Sequence, residues 1–334
     1  MGQPSHTNIL VTGGTGFVGS HLVERLVADG HRVRCLVRRT SSLVWLPAGK
    51  VELVYGEAAR NLGLREAVEG VSLVFHVAGV TRARRPTDYH FGNTQGTANL
   101  LRALEESGQP GVRFVHVSSL AAVGPSPDGT PLREDAPPRP LSHYGRSKLE
   151  GERAVERSPL RANAIIVRPP VVYGPRDTDV LKIFQAAARG WLLRIGRQES
   201  HVSLVHVQDL VEGLLAAASS SHGDARPYFI ANSEPTSWSE FAGLVAELAG
   251  QRLRTVCVPA SVAWMTGLLA EIGSRFTRKP GILSRDRICE ARCRYWVCEP
   301  TRACLELGFT TKKTLRQGVA ETLDWYKIKK WLRP

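Results

Sequence analysis

The sequence lacks any apolar run approaching the ~18 residues of a membrane-spanning helix. No apolar segment precedes the first candidate strand at Asn8, so no secretory signal is expected. The chain opens Met-Gly, but His6 stands where N-myristoylation needs Ser or Thr. There is no C-x2-C pair. Four of the six cysteines, Cys289, Cys293, Cys298 and Cys304, are separated by three, four and five residues. With Cys35 and Cys257 they read as buried or incidental thiols of a reducing cytoplasm rather than a zinc site. His21, His76, His90, His116, His143, His201 and His206 show no H-E-x-x-H or comparable spacing, so no metal is expected. No internal repeat or low-complexity tract stands out. The net charge of +13 invites anionic partners. No basic stripe interleaved with aromatics is present, so nucleic acid is not an expected partner.

What is present begins with NILVTGGTGFVG, Asn8 to Gly19. Ile9, Leu10 and Val11 read as a buried strand, followed by a glycine-rich turn and a helix start. Gly13, Gly16 and Gly19 have the spacing G-x-x-G-x-x-G. Glycine takes positive φ without steric cost and lets a pyrophosphate approach the backbone. The helix that follows points unpaired N–H groups and its positive end at the phosphates.

The first half then alternates strand and helix. Strands are expected at 32–37, 51–55, 73–77, 112–117 and 164–168, with helices at 22–28, 62–68, 93–104 and 143–156. A proline-rich loop occupies 124–141. This rhythm predicts an α/β fold, a Rossmann-type doubly wound parallel sheet covered on both faces. After Pro169 the rhythm breaks, and a smaller C-terminal substrate lobe is expected. The predicted division is 1–175 for the dinucleotide and 176–334 mainly for the substrate, with part of 204–232 returning to the first unit.

The second strand ends Leu36-Val37-Arg38-Arg39. NAD enzymes usually carry Asp or Glu there, bonded to the ribose hydroxyls. Here a carboxylate is absent and two guanidinium groups follow, which suit a 2′-phosphate. NADP is therefore the expected cofactor, with Arg38 its first contact. NAD remains the alternative, with both arginines on the surface.

Tyr144 and Lys148 are four apart, hence on one helix face. A nearby ammonium favours the phenolate and brings its pKa towards neutral pH. Ser118 and Ser119 end the fifth strand, at the sheet edge where a doubly wound fold places its site. Glycine turn, strand-end Ser and Tyr-x3-Lys, in that order, are far more specific together than singly.

These motifs make the chain similar to the extended short-chain dehydrogenase/reductases, the NAD-dependent epimerase/dehydratase family. TGGTGFVG (12–19), HVAG (76–79), NTQGTANLL (93–101), VSSLAAVG (117–124), YGRSK (144–148), RPPVVYGPRD (168–177) and VHVQDLVEGLLAA (205–217) all resemble family segments. The resemblance implies Tyr144 as general acid/base, Lys148 as its tuning partner on the nicotinamide ribose, and Ser119 as the group orienting the substrate oxygen. It implies cofactor contacts from Gly13, Thr15, Gly16, Phe17, Val18 and Ala78, and from Pro170 and Val172 beside the nicotinamide. Glu57 stands where relatives usually carry Asp near the adenine. It also implies a homodimer through the helices at 93–104 and 144–156.

Members of this family either reduce or oxidise and release the cofactor, or return the hydride as epimerases and dehydratases do. Leu120 and Ala121 follow Ser119 where dehydratases usually have acids, which argues against dehydration. The LVRR ending resembles the dihydroflavonol-reductase and 3β-hydroxysteroid-dehydrogenase-like branch. The expected activity interconverts a secondary alcohol and a ketone on a hydrophobic small molecule. The alternatives are a nucleotide-sugar epimerase and a non-catalytic cofactor sensor. The apolar stretch Val258–Ile272 reads first as a helix packed on the small lobe. Its second reading is a substrate entrance or peripheral membrane contact, helped by Arg275, Arg278 and Lys279.

Overall fold

The computed structural model describes residues 8–196, 198–259 and 285–332. The strands of the main sheet are short apolar runs because both faces are covered. β1 (Asn8–Thr12) sends Ile9 and Val11 to one layer and Leu10 to the other, the period-two alternation of a strand. β2 (Arg32–Val37), β3 (Val51–Tyr55), β4 (Leu73–His76), β5 (Arg113–Val117) and β6 (Ala164–Arg168) repeat this plan. β7 (Val171–Tyr173), β8 (Trp191–Ile195), β9 (His201–Val202), β10 (Leu204–His206) and β11 (Arg226–Phe229) follow. The seven-stranded sheet is parallel throughout, in the order β11-β6-β5-β4-β1-β2-β3. Strand order reverses beside β1, so the carboxyl ends of β1 and β4 border the crevice in which such folds bind dinucleotides.

Helix α1 (Phe17–Ala28) covers one face with Leu22, Val23 and Leu26. α2 (Leu64–Val68) covers the other with Leu64, Ala67 and Val68. The sequence predicts the next helix from Asn93, but it starts at Pro86 as α3 (Pro86–Tyr89). Proline at the first helical position sets φ in advance, and the Asp88 carboxylate accepts the Arg85 N–H at 3.1 Å. The helix runs through a π turn, His90–Gln95, into α4 (Gly96–Glu106). α5 (His143–Arg157) lies beside it on the same layer.

Beyond β6 the chain leaves the sheet and returns only at β11. α6 (Leu181–Ala187), α7 (Val207–Ser219), α8 (Trp238–Leu248) and the terminal helix Leu315–Ile328 are among the helices of this later part. α7 packs on the α1 layer, while the others surround an aromatic nest. Phe184 meets Phe241 at 5.6 Å and Tyr326 at 5.2 Å, both edge to face. The remaining strands make small sheets of two or three: β7 with β10, β8 with β13 (Arg254–Val258), and β9 between β12 (Thr236–Ser237) and β14 (Tyr295–Trp296). Cys35 and Cys298 are buried, and burial pushes both thiols up to about 12. From residue 260 to 284 the chain lies outside the described residues, and with it most of the apolar stretch 258–272 and Arg275, Arg278 and Lys279. Among the described residues no helix is long and apolar enough to cross a membrane.

Candidate active site

The glycine turn is built for close approach. Gly13 has φ +75°, and a Cβ there would stand 2.6 Å from the backbone nitrogen of Ala78. A Cβ on Gly19 would stand 2.1 Å from the Gly13 carbonyl oxygen. Turn, helix and the end of β4 therefore meet without side chains between them. Gly16 is the exposed N-cap of α1, and no side chain caps the helix. The first-turn N–H groups of a twelve-residue helix are left for an anion. Thr15, Phe17 and Val18 are half-buried on its rim. This cradle fits a pyrophosphate.

Arg38 and Arg39 follow β2 and are exposed; the Arg39 guanidinium lies 5.4 Å over the Tyr55 ring. Glu57 is half-buried at the end of β3, and its carboxylate pairs with Arg60 at 3.0 Å. Ala78 donates its N–H to the Thr12 hydroxyl at 3.3 Å.

Ser119, Tyr144 and Lys148 come from the turn after β5 and from α5. Ser119 caps a short turn, and its Oγ accepts the Ala121 N–H at 3.1 Å. Gly145 presses α5 onto that turn, since a Cβ there would stand 2.3 Å from the Ala121 carbonyl oxygen. Tyr144 precedes Gly145 on α5, and Ser119 stands two residues before Ala121. Tyr144 is half-buried, with the Tyr89 ring 6.0 Å away. One turn on, Lys148 is buried and its Nζ donates to the Val117 carbonyl at 2.6 Å. Burial lowers its pKa to about 8, and the Glu152 carboxylate acts in the opposite direction. A Cβ on Gly79 would stand 3.5 Å from that Nζ, so the end of β4 closes the same cleft. Pro170 and Val172 lie half-buried on the crossing segment after β6. The Pro169 carbonyl accepts the Leu120 N–H at 2.9 Å, which fastens this segment to the Ser119 turn.

Several supporting residues lie inside the motif segments, but the motifs do not report the bonds they make. Asn93 accepts the Val80 N–H at 2.7 Å and donates to the Val80 carbonyl and to Ser147 Oγ, at 3.1 and 2.8 Å. It thus ties the segment after β4 to α5 beside Lys148. His76 lies between Thr12 and Thr97, at 2.7 and 2.9 Å. Thr97 spends its proton on the Asn93 carbonyl at 2.6 Å, so His76 Nε2 donates to Thr97 and Nδ1 accepts from Thr12. Burial, aided by the Lys148 charge, pushes the imidazole down to about 3 and keeps it neutral. Arg168 forks onto Glu152 at 3.0 and 2.6 Å, both buried, and donates to the Glu134 carbonyl at 3.2 Å. The i,i+4 step from Lys148 to Glu152 was the available signal for this pair. Arg176, at φ +74°, reaches Ser20 at 3.0 Å and Glu24 at 2.6 Å on α1 and lies 5.0 Å over the Trp45 ring.

The glycine turn at the β1 crevice and the cleft that holds Ser119, Tyr144 and Lys148 thus open at the same, carboxyl-terminal edge of the sheet. Residues 9–231 match the NAD dependent epimerase/dehydratase family, and the chain belongs to it. It is an NAD(P)-dependent enzyme acting on CH–OH groups. The chain is 32% identical to the ceramide reductase of Caulobacter vibrioides, over 97% of this chain and 96% of that one. It is 30% identical to a 4-hydroxy-2-methyl-3-oxo-4-farnesyl-3,4-dihydroquinoline-1-oxide ketoreductase of Stigmatella aurantiaca, over 78% of this chain and 79% of that one. Among solved structures, MoeE5 in complex with UDP-glucose and NAD superimposes with TM-score 0.76 at 28% identity, covering 96% of this chain and 99% of that one.

Proposed function

We propose that the protein is an NADPH-dependent reductase of a hydrophobic ketone, with residues 1–175 holding the cofactor and 176–334 mainly the substrate. The observation that carries the chemistry is the buried Lys148 ammonium, fixed on Val117 one helical turn from Tyr144. Bound dinucleotide supplies the hydride. The chain's own residues manage the oxygen. Ala121 N–H occupies a lone pair of Ser119 Oγ and leaves the hydroxyl proton free to bond the substrate oxygen. The Tyr144 phenol delivers a proton to that oxygen, and the nearby ammonium stabilises the phenolate left behind. The reading of a lipid-like ketone rests on the reductase relatives, one named for ceramide and one for a farnesyl-bearing ring. The choice of NADP rests on Arg38 and Arg39 and on the missing carboxylate after β2. A homodimer through α4 and α5 follows from the family resemblance.

NADPH oxidation is to be followed with long-chain ketones in detergent micelles, and conversion of UDP-glucose to its 4-epimer is to be followed by product chromatography, since an epimerase consumes no cofactor. Turnover of the ketones, abolished in Tyr144→Phe while cofactor binding persists, is the expected result. Turnover of UDP-glucose alone overturns the reading in favour of an epimerase. Cofactor binding with no turnover of either class leaves a cofactor sensor.

A further inference from the structure

β8 and β13 pair in parallel apart from the main sheet. Their register places Trp191, Leu193 and Ile195 beside Arg254, Val256 and Val258 on one face. The opposite face carries the buried Leu192 and the Arg194–Glu199 ion pair. The first face is open: Trp191 is 46%, Leu193 68% and Val256 41% exposed. Large apolar side chains gathered on one exposed face mark a contact surface.

One end of this face is basic. Arg189 precedes β8, Arg252 precedes β13, and Arg254 lies 5.7 Å over the Trp191 ring. The Arg254 N–H donates to the Gly190 carbonyl at 2.8 Å, and a Cβ on Gly190 would stand 2.8 Å from the Arg252 carbonyl oxygen. The backbones that carry the three guanidinium groups are therefore adjacent. All three residues are exposed, and none has a carboxylate partner among the described residues. The face itself carries no acidic residue.

We propose that this face rests on an anionic lipid surface, with Trp191, Leu193 and Val256 entering the headgroup boundary and the three arginines meeting lipid phosphates. Apolar residues with a basic fringe and an indole at the boundary are what such a surface selects. A second copy fits less well. A two-fold contact apposes the same patch on both chains, and this patch would bring six guanidinium groups to an interface without a carboxylate. The proposal deepens the reading of a lipid-like substrate, since an enzyme resting on a bilayer meets such a substrate where it is dissolved.

The test is flotation of the full chain with vesicles of phosphatidylcholine, with and without phosphatidylglycerol. The expected result is flotation with the anionic vesicles, reversed by high salt. Arg252→Ala weakens it about fivefold and Leu193→Glu about tenfold or more. Both variants keep the melting temperature and the turnover of a water-soluble short-chain ketone. Absence of flotation, or flotation undiminished in Leu193→Glu, overturns the proposal. A lower particle mass in Leu193→Glu also overturns it, by assigning the face to a second copy. Vesicle binding is read without substrate, so flotation with no ketone turnover removes the activity and leaves the surface, and the converse result does the reverse.

Discussion

The Lys148 ammonium donates a 2.6 Å hydrogen bond to the carbonyl of Val117, the last residue of β5. That bond fixes the charge at the floor of the cleft, while burial holds its pKa at about 8. Activity that needs the ammonium therefore falls as pH rises through about 8. Glu152 raises that pKa, so Glu152→Gln moves the alkaline limb of the kcat profile to lower pH. A merely structural role lowers kcat equally at every pH and leaves the limb where it is.

Arg168 and Glu152 are both buried, with exposures of 6% and 0%. Removing one partner leaves a charge in a place that cannot solvate it. Arg168→Met is expected to cost about 3–5 kcal/mol in chemical denaturation. The double variant Arg168→Met with Glu152→Leu recovers much of that loss, because no unpaired charge remains.

The arginine at the end of β2 is tested by cofactor choice. Arg38→Ala should raise the KM for NADPH about tenfold or more, the worth of a charged hydrogen bond, and leave that for NADH nearly unchanged. Steady-state assays with both cofactors decide it. An unchanged preference removes Arg38 from the phosphate.

Two glycines in helices should respond to alanine in opposite directions. At Gly145 the added methyl meets the Ala121 carbonyl at 2.3 Å, so α5 must shift away from the Ser119 turn. The kcat of Gly145→Ala falls more than its KM rises. At Gly243, inside α8, nothing stands within 4 Å of the added methyl. Gly243→Ala gains about 0.5–1 kcal/mol from helix propensity, readable as a higher Tm with activity intact.

The sheet was legible because a parallel strand buried on both faces must be a continuous apolar run, as Ile9-Leu10-Val11 and Ala164–Val167 are. The glycine turn was legible because only glycine fits where Gly13 touches Ala78. Spacing alone put Tyr144 and Lys148 on one helix face and a Ser118-Ser119 pair at a strand end, and the family resemblance chose Ser119 of the two. Less visible was what holds them. Asn93 acts through a side chain bonded to the backbone of Val80, and no periodicity reports such a bond. The early start at Pro86 was masked because the π turn breaks the 3.6-residue pattern that would join Pro86 to Asn93. The small sheets of the later part are held by strands of two to five residues, such as β9 and β12, too short to carry a pattern.

The Tyr326 hydroxyl donates at 2.8 Å to the carbonyl of Asp177, 149 residues earlier in the chain. The preceding residues Pro175 and Arg176 grip α1 through His21, Ser20 and Glu24. A chain emerging from the ribosome can pair β1 to β6 early, but this contact waits for the terminal helix. The segment that carries Asp177 therefore gains this bond only after Tyr326 has been made. A chain stopped before Leu315 is expected to carry a formed dinucleotide turn beside a crossing segment that is held to α1 and to the Ser119 turn but lacks the Tyr326 bond.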